Sequence, residues 1–413
     1  MRFLFIDGEK LGVFENGKTT VYESSYIQNY RENARRTEKN RAWKKKTDIM
    51  MEEGYYFGED GERIHAEIRS ASFTTEENKI VYVLSVNELS RICYKYLDDK
   101  EKTEAHVISS NEVEFTSFTV NQDGDVVGAV RTGEDSSDIV VFSKDGGDYK
   151  LVTSGDSLDE NPFVDRDGKL LFNSYGIGRG EDNEFITYVP SEIFRYDLQT
   201  MEIDAVLTDE RYSFVKPMTD SEGNLYCIRK PGAEKKRENI FLQILLIPVR
   251  IVEAIIGFIS MFVTIFAGKP LVSGKSNGIG GAAKNGKDRR QMFINNQFVN
   301  VEQEIKRNRK SEDGGFIPRE WKLVKFAPKT DDFESGYELV EELASGVADY
   351  CLTEEKGKTA VVYANGQRVI ALCKENGKWQ KKKLVKTDCC LKVSAFYGKT
   401  EEKGPFEEMF TTM

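Results

Sequence analysis

The stretch Val164-Asp-Arg-Asp-Gly-Lys169, followed at once by Leu170-Leu-Phe-Asn173, is the part of the sequence that decides the fold. Its Asp-Gly pair supplies the positive φ of a tight turn, and the apolar residues after the turn have the pattern of a buried strand. Similar pieces recur along the chain at a spacing of about 45 residues, each with room for two further strands. The sequence therefore predicts a repeating β-sheet architecture.

The turn-and-strand pattern occurs at five places in the chain. The turns are Phe73–Lys79, Val120–Asp125, Val164–Lys169, Met218–Asn224 and Leu352–Lys358. The strand-like runs that follow them are Ile80–Leu84, Val126–Val130, Leu170–Asn173, Leu225–Ile228 and Ala360–Tyr363. The acidic turns lack the downstream Glu of an EF-hand loop, so they favour turn chemistry over calcium binding.

These repeats resemble the TolB-type propeller repeat, a relative of the WD repeat in which Asp-Gly turns link the first two strands of each blade. The resemblance is loose and covers most of the chain, with the turn and the following strand matching best. A Pro that often precedes the turn in that family is present at Pro162 and Pro217. The resemblance implies an all-β fold, a β-propeller.

Counting the repeats predicts six blades. Units begin near Arg63, Glu112, Glu160, Tyr212 and Ser345, and a sixth is split between the chain ends. Its first strand is predicted at Leu391–Tyr397, and its other strands at Arg2–Ile6, Lys10–Glu15 and Lys18–Glu23. Pairing the two ends closes the ring in the manner called velcro closure, which removes free sheet edges.

Composition and charge limit the possible functions. The 413 residues are 39% hydrophobic and 31% charged, and the net charge of -10 makes a dedicated nucleic-acid binder unlikely. The apolar run in Met1–Asp7 is far shorter than a signal-peptide core, so we expect a cytoplasmic protein. The six cysteines show no CxxC spacing, which indicates reduced structural thiols.

Three insertions interrupt the predicted propeller, which we place at residues 1–232 and 313–413. The first, 24–61, contains a helix whose Tyr26–Lys46 stretch carries eight basic residues against two acidic ones. The second is the loop Gly176–Pro190, and the third, 233–312, lies within the fourth blade. All three occupy links that emerge on the same face of an up-and-down blade, so we expect helical insertions on one face of the disc.

The segment Ile240–Gly268 is strongly apolar but is interrupted by Pro248, Arg250 and Glu253. Its charge-free runs are shorter than the roughly 18 to 20 residues that a straight membrane crossing needs. We expect an amphipathic helix in the membrane interface or a hairpin broken at the proline, with basic flanks on the cytosolic side. A buried helix, or one that meets a protein partner, is the alternative.

The candidate binding residues follow from this segment and from the basic insertions. Residues predicted to enter lipid or a partner are Ile240, Phe241, Leu245, Ile255, Phe258, Phe262 and Phe266, and a helix-packing stripe comprises Gly257, Ser260 and Thr264. Residues predicted to contact lipid headgroups or an anionic partner are Arg35, Arg36, Lys44, Lys45, Lys46, Lys235, Lys236, Arg237, Lys269, Arg289 and Arg290.

No catalytic, cofactor-binding or metal-binding motif stands out. Gly281–Lys287 has the spacing of a phosphate loop, but Asp288 replaces the required Ser or Thr, and no GxSxG elbow occurs. The sequence therefore predicts a non-enzymatic scaffold or adaptor, peripheral or monotopic at the inner face of the cell membrane, with an anionic membrane surface and a protein partner or second copy as its partners. The alternatives are a soluble subunit of a larger assembly, and a small-ligand sensor or enzyme that uses the central channel.

Overall fold

The computed structural model describes residues 1–47, 66–98 except 77 and 88, 104–120, 124–142 except 134, 149–232 except 181 and 183, 291–329, 336–355 and 358–395. The chain divides into two compact units, one formed by Met1–Gly232 with Met292–Met413 and the other by Ala233–Gln291. All of the second unit except Gln291 lies outside the described residues, so the account below concerns the first unit.

The described elements are listed here in chain order. The chain begins with β1 (Arg2–Asp7), β2 (Lys10–Glu15), β3 (Lys18–Glu23) and α1 (Ser25–Thr47). There follow β4 (Ala66–Phe73), β5 (Lys79–Val86), β6 (Leu89–Tyr96), β7 (Ala105–Ser110), β8 (Glu114–Val120), β9 (Val126–Arg131), β10 (Ser137–Phe142) and β11 (Tyr149–Leu151). The next strands are β12 (Ser157–Val164), β13 (Leu170–Arg179), β14 (Phe185–Tyr188), β15 (Glu192–Tyr196), β16 (Ile203–Leu207), β17 (Tyr212–Thr219) and β18 (Leu225–Pro231). The last elements are β19 (Gln291–Ile294), β20 (Gln297–Asn300), α2 (Val301–Asn308), β21 (Lys322–Pro328), β22 (Tyr337–Ser345), β23 (Asp349–Glu355), β24 (Lys358–Ala364), β25 (Gly366–Glu375) and β26 (Lys378–Ser394).

The strands form successive up-and-down antiparallel sheets. Strands β4 to β7 make one four-stranded sheet, and β17, β18, β21 and β22 make another. The runs β8-β9-β10 and β12-β13-β15-β16 keep the same order within a nine-stranded sheet, in which β10 and β12 meet through one parallel pairing. Consecutive meanders of this kind are the blades of a β-propeller, so the prediction of an all-β propeller is confirmed.

The chain ends meet in a seven-stranded sheet of order β23-β24-β25-β26-β1-β2-β3. Leu4 pairs with Ser394 and Phe5 with Val393 in antiparallel register. The sequence predicted a separate strand at Leu391–Tyr397, whereas the described chain has one continuous strand, β26, that pairs with β25 along most of its length and with β1 near its end. One strand can serve both neighbours because it offers a hydrogen-bonding edge on each side.

Local sequence accounts for the turns. The predicted acidic turns Val164–Lys169 and Met218–Asn224 have glycine in the left-handed region, at Gly168 and Gly223. In each of these two turns the preceding Asp accepts backbone hydrogen bonds, as when Asp165 accepts from the N–H groups of Asp167 and Lys169 at 2.9 and 2.8 Å. Asx turns of this kind fix the chain reversal before the next strand.

The repeat starts agree with the strands found. Strands β4, β8, β12, β17 and β23 begin within four residues of the predicted starts. The core lies between neighbouring sheets and includes fully buried aromatic side chains such as Phe172, Tyr226 and Tyr363. Removing such large side chains from water is the main favourable contribution to folding. The six cysteines are free thiols, four of them buried, as the sequence indicated.

Four of the strands that begin a predicted repeat, β4, β8, β12 and β17, carry a β-bulge. The pairing shifts register between Ile68 and Ser70 in β4, Phe115 and Ser117 in β8, Glu160 and Phe163 in β12, and Val215 and Met218 in β17. A bulge bends its strand and redirects side chains. Residues near these four bulges line a common cavity, which is described below.

Candidate functional site

Most residues that the sequence singled out lie outside the described part of the chain. These are Lys235, Lys236, Arg237, Ile240, Phe241, Leu245, Ile255, Gly257, Phe258, Ser260, Phe262, Thr264, Phe266, Lys269, Arg289 and Arg290. Arg35 and Arg36 are exposed on α1, and Lys44, Lys45 and Lys46 lie in the last turns of the same helix. Among the described residues, no helix combines the length and apolar character needed to cross a membrane.

Helix α1 is anchored at its N-terminus. Glu104 accepts hydrogen bonds from the Ser24 and Ser25 hydroxyls at 2.9 and 3.0 Å and from the Tyr26 amide at 3.2 Å. A carboxylate at this end satisfies free amides and complements the helix dipole. Ile27 is buried in the core beside it. The helix start is therefore fixed to the propeller, whereas Arg35 and Arg36 further along the helix are exposed.

Strands β19 and β20 form a hairpin that the sequence did not predict. Its two aromatic side chains, Phe293 and Phe298, are 55% and 74% exposed, with ring centroids 5.0 Å apart. The short helix α2 continues from it with an Asn300 cap, whose side chain accepts from the Gln303 amide at 3.0 Å. Two adjacent phenylalanine rings exposed to solvent are unusual on a surface that binds no partner.

The loop Gly176–Pro190 also forms a hairpin, because β13 continues to Arg179 and pairs with β14. Phe185, Ile186 and Val189 on this hairpin are exposed. The chain therefore presents apolar side chains on two of the three insertions that the sequence identified, in the β13 to β15 link and in the β18 to β21 link.

The second candidate site is a central cavity of about 80 Å³. Its walls come from seven strands: Leu4, Phe5 and Ile6 of β1; Ser70, Ala71 and Ser72 of β4; Ser117, Phe118 and Thr119 of β8; Asn161, Pro162 and Phe163 of β12; Lys216, Pro217 and Met218 of β17; Asp349 and Cys351 of β23; and Lys392, Val393 and Ser394 of β26. A volume of this size holds a few water molecules or one small chemical group.

A belt of hydrogen bonds joins strands of the cavity wall. The Ser70 hydroxyl accepts from the Phe118 amide at 3.3 Å, and the Ser117 hydroxyl accepts from the Asn161 amide at 3.2 Å. Further round, the Tyr350 hydroxyl donates to the Lys216 carbonyl at 2.8 Å. These bonds fix the bulged strands relative to one another, which makes the cavity wall rigid.

Two residues of the wall have a strained backbone. Asn161 and Lys216 have φ of 51° and 55°, and each precedes a proline. Left-handed geometry is costly for most residues other than glycine and asparagine, and a following proline restricts the backbone further. Asn173 stabilises both, since its Oδ1 accepts from the Asn161 side chain at 2.9 Å and from the Lys216 amide at 3.0 Å. Strain of this kind concentrates at functional sites.

The strained Lys216 forms a buried ion pair across the cavity wall. Its Nζ lies 2.5 Å from Asp349 Oδ1, and Asp349 Oδ2 accepts from the Val393 amide at 2.8 Å. Burial lowers the pKa of Lys216, and the Asp349 carboxylate opposes that shift. Both Asp349 oxygens are therefore already engaged by donors of the chain.

Two further polar groups of the wall lack such partners. Lys392 makes no side-chain hydrogen bond or ion pair within the described ranges. The Ser394 hydroxyl oxygen is buried and has no hydrogen-bond partner among the described residues. Unsatisfied buried polar groups are rare in folded proteins, and they call for a specific explanation.

The tip of the β19–β20 hairpin lies over a cluster of buried polar side chains near the cavity. Asn296 donates to Glu160 at 2.9 Å, and Lys230 donates to the Asn295 carbonyl at 2.5 Å and to the Tyr175 hydroxyl at 3.1 Å. Burial raises the pKa of Glu160 and lowers the pKa of Lys230 to about 7. Hairpin β19–β20 is therefore held by side chains of β12 and β18.

Sequence reasoning missed the cavity because its residues are far apart in the chain. The only local signal is the repeated polar-Pro-apolar triplet at Asn161-Pro-Phe163 and Lys216-Pro-Met218, which marks equivalent positions of two repeats. The unpartnered Lys392 carries no local signal of any kind. Within the described ranges, no group of three His, Cys, Asp or Glu is placed to hold a metal ion.

Comparison with known proteins gives a loose resemblance. No protein family matches the sequence, and no curated protein matches it either. Among solved structures, TolB from Acinetobacter baumannii is 10% identical with a TM-score of 0.46, over 95% of this chain and 65% of TolB. A protein from Lactobacillus plantarum is 10% identical with a TM-score of 0.42, over 95% and 98% of the two chains.

A WD-type propeller is also similar. The Cps50 (Swd1) β-propeller domain from Myceliophteria thermophila is 8% identical with a TM-score of 0.37, over 93% of this chain and 85% of that domain. The assignment of the propeller fold rests on the strand pairing of the chain itself, and its resemblance to TolB and to WD-repeat propellers is loose.

Proposed function

We propose that this protein is a non-enzymatic β-propeller scaffold that docks on the inner face of the cell membrane. The observation that carries the proposal is the exposed pair Phe293 and Phe298. This pair follows Arg289 and Arg290 and the apolar segment Ile240–Gly268 in the chain. Aromatic side chains beside basic residues are the usual anchors at a membrane interface.

We infer that the propeller has six blades and that its chain ends close the ring. The support is the order of the sheets, in which β26 and β1 to β3 provide the sixth set of four strands. In an up-and-down blade, the link from the second to the third strand and the link to the next blade emerge on the same face. Helix α1, hairpin β13–β14 and hairpin β19–β20 occupy such links, so they share one face in this arrangement.

Electrostatics favours the same orientation. The protein has a net charge of -10, whereas Arg35 and Arg36 and the flanks of the apolar segment are basic. Each Lys or Arg near an anionic leaflet contributes about 1 kcal/mol of binding. The acidic remainder of the molecule is repelled by the same surface. Docking through the insertion face is therefore the orientation with the most favourable charge interactions.

A vesicle flotation experiment tests the proposal. The full-length protein is mixed with vesicles of phosphatidylcholine, with or without phosphatidylserine, and the bound fraction is measured against salt. The two exposed rings contribute ~2 kcal/mol together if they enter the interface, so Phe293→Ser with Phe298→Ser should weaken binding about 30-fold. A matched control is Leu339→Ser with Val340→Ser, which alters apolar side chains 46% and 56% exposed on strand β22.

The outcomes separate the membrane from a protein partner. Binding that requires phosphatidylserine, is partly reversed by salt and is lost in the phenylalanine variant supports the proposal. Equal loss in the control variant, or no binding to either vesicle, contradicts it. If the protein instead forms a defined oligomer that depends on Gly257, Ser260 and Thr264, the apolar segment serves a protein interface.

A further inference from the structure

The described lining of the central cavity contains two lysines and a single carboxylate. Asp349 is the only carboxylate among the lining residues that the structure describes, and Lys216 and the Val393 amide engage both of its oxygens. A metal ion or a cationic ligand therefore finds no free carboxylate on this wall. The chemistry of the wall favours a ligand that accepts hydrogen bonds.

Three donors among the lining residues lie on strands β26 and β8. Lys392 and Ser394 on β26 have no side-chain partners within the described ranges. Ser117 on β8 uses its hydroxyl oxygen to accept from the Asn161 amide, which leaves its hydroxyl proton available to donate. One ammonium and two hydroxyl donors around a small volume match the needs of a single oxyanion.

The nearest competing carboxylate is Glu160, next to Asn161 in β12. Its Oε2 accepts a hydrogen bond from the Asn296 side-chain amide at 2.9 Å, and burial raises its pKa. The Lys392 charge acts in the opposite direction on the pKa of Glu160. Within the described ranges, no hydrogen bond or ion pair joins Glu160 to Lys392.

Rigidity and strain support the same conclusion. The bulged strands are joined by the hydrogen-bond belt, and Asn161 and Lys216 keep left-handed backbones before prolines at this wall. Such positions persist when the surrounding structure over-determines them, and they cluster at ligand sites. A preorganised wall also lowers the entropic cost of binding a small group.

We propose that the central cavity binds a small molecule through one carboxylate or phosphate group, which accepts hydrogen bonds from Lys392, Ser394 and Ser117. The cavity volume of about 80 Å³ limits the bound part to one such group with few additional atoms. The proposal is independent of membrane docking, because none of these residues belongs to the three insertions.

Isothermal titration of the full-length protein without vesicles tests this site. Inorganic phosphate and acetate are titrated separately in chloride buffer, and each is expected to saturate at one ion per chain if its geometry fits. Saturation by phosphate alone identifies a phosphate site, and saturation by acetate alone identifies a carboxylate site. Saturable binding of either ion, or of both, supports the proposal.

Matched variants locate the binding. Lys392→Gln should weaken binding about 10- to 100-fold because a charge-assisted hydrogen bond is lost. Lys386→Gln makes the same charge change at an exposed position of the same strand and should bind like the unmodified protein. Ser394→Ala removes one donor without changing charge, and it provides an independent measurement should Lys392→Gln fail to fold.

Two results overturn the proposal. The first is the absence of saturable binding of either ion to the unmodified protein. The second is equal affinity of the Lys392→Gln and Lys386→Gln variants for the ion. If Lys392→Gln does not fold, an unchanged affinity of Ser394→Ala takes its place. Circular dichroism of each variant shows whether the fold is retained.

Discussion

The buried pair of Lys216 and Asp349 gives the sharpest prediction about stability. Asp349 is 2% exposed, and its two oxygens accept from Lys216 Nζ at 2.5 Å and from the Val393 amide at 2.8 Å. In Asp349→Asn the new amide can still accept from Val393, but it leaves the Lys216 ammonium without its counter-ion. Breaking a buried pair in this way costs about 3–5 kcal/mol.

The pH dependence of that cost follows from the sign of the lysine shift. Burial already lowers the pKa of Lys216 below its ordinary value, and losing Asp349 lowers it further. When the folded-state pKa of a lysine is lowered, the free-energy cost to the folded state is largest at low pH, where the lysine is charged in both states. This cost decreases as the pH rises toward the unfolded-state pKa. The loss in Asp349→Asn should therefore be larger at pH 6 than at pH 9.

Urea unfolding followed by circular dichroism measures the loss at both pH values. The double variant Lys216→Met with Asp349→Asn should recover most of the stability, because it removes the unpaired charge. Asp204→Asn is the control, since it breaks an exposed 3.6 Å pair with Arg195 that is worth less than about 1 kcal/mol. A loss below about 1 kcal/mol at pH 6, or a double variant no more stable than Asp349→Asn, would refute the reasoning.

Three other perturbations test the fold. Burial lowers the pKa of Lys230 to about 7, so the free energy of unfolding should rise as the pH increases above 7, by up to ~5 kcal/mol near pH 10. In urea titrations at a series of pH values, Lys230→Met should remove most of this rise. Gly366 has φ of +93° and an added Cβ lies 2.5 Å from the Phe316 ring, so Gly366→Ala should cost about 2–4 kcal/mol in the same assay. Gly377→Ala, at φ +78° with open space around the Cβ, should cost only about 1 kcal/mol. Removal of residues 1–24 takes away β1 to β3 and exposes the edge of β26, so the truncated chain should aggregate or unfold at a lower urea concentration. Unchanged stability would show that the pairing of β1 with β26 is dispensable.

The repeating fold is largely readable from the sequence because its determinants are local. An Asp-Gly turn such as Asp167-Gly168 fixes a chain reversal within a few residues, and the apolar run that follows it specifies a buried strand. The strands found at β4, β8, β12, β17 and β23 begin within four residues of the expected positions. Elements without a repeat to compare with, such as β19, β20 and α2, were not predicted.

The bulges illustrate where local reasoning stops. A proline after Asn161 or Lys216 is visible in the sequence, but the left-handed backbone before it is held by Asn173 from another strand. The register shift follows from that tertiary support, and no local propensity favours it. The same holds for the Lys216 and Asp349 pair, whose members are 133 positions apart in the numbering.

The sequence by itself determined the all-β repeat, the positions of its turns and the basic and apolar character of the insertions, because each depends on residues close together in the chain. Tertiary structure alone decided which side chains share the central cavity and which of them are left without partners. Lys392 and Ser394 become notable only when strands from different sheets surround them. Burial and hydrogen-bond satisfaction are properties of the assembled sheets, so they cannot be read from any single segment.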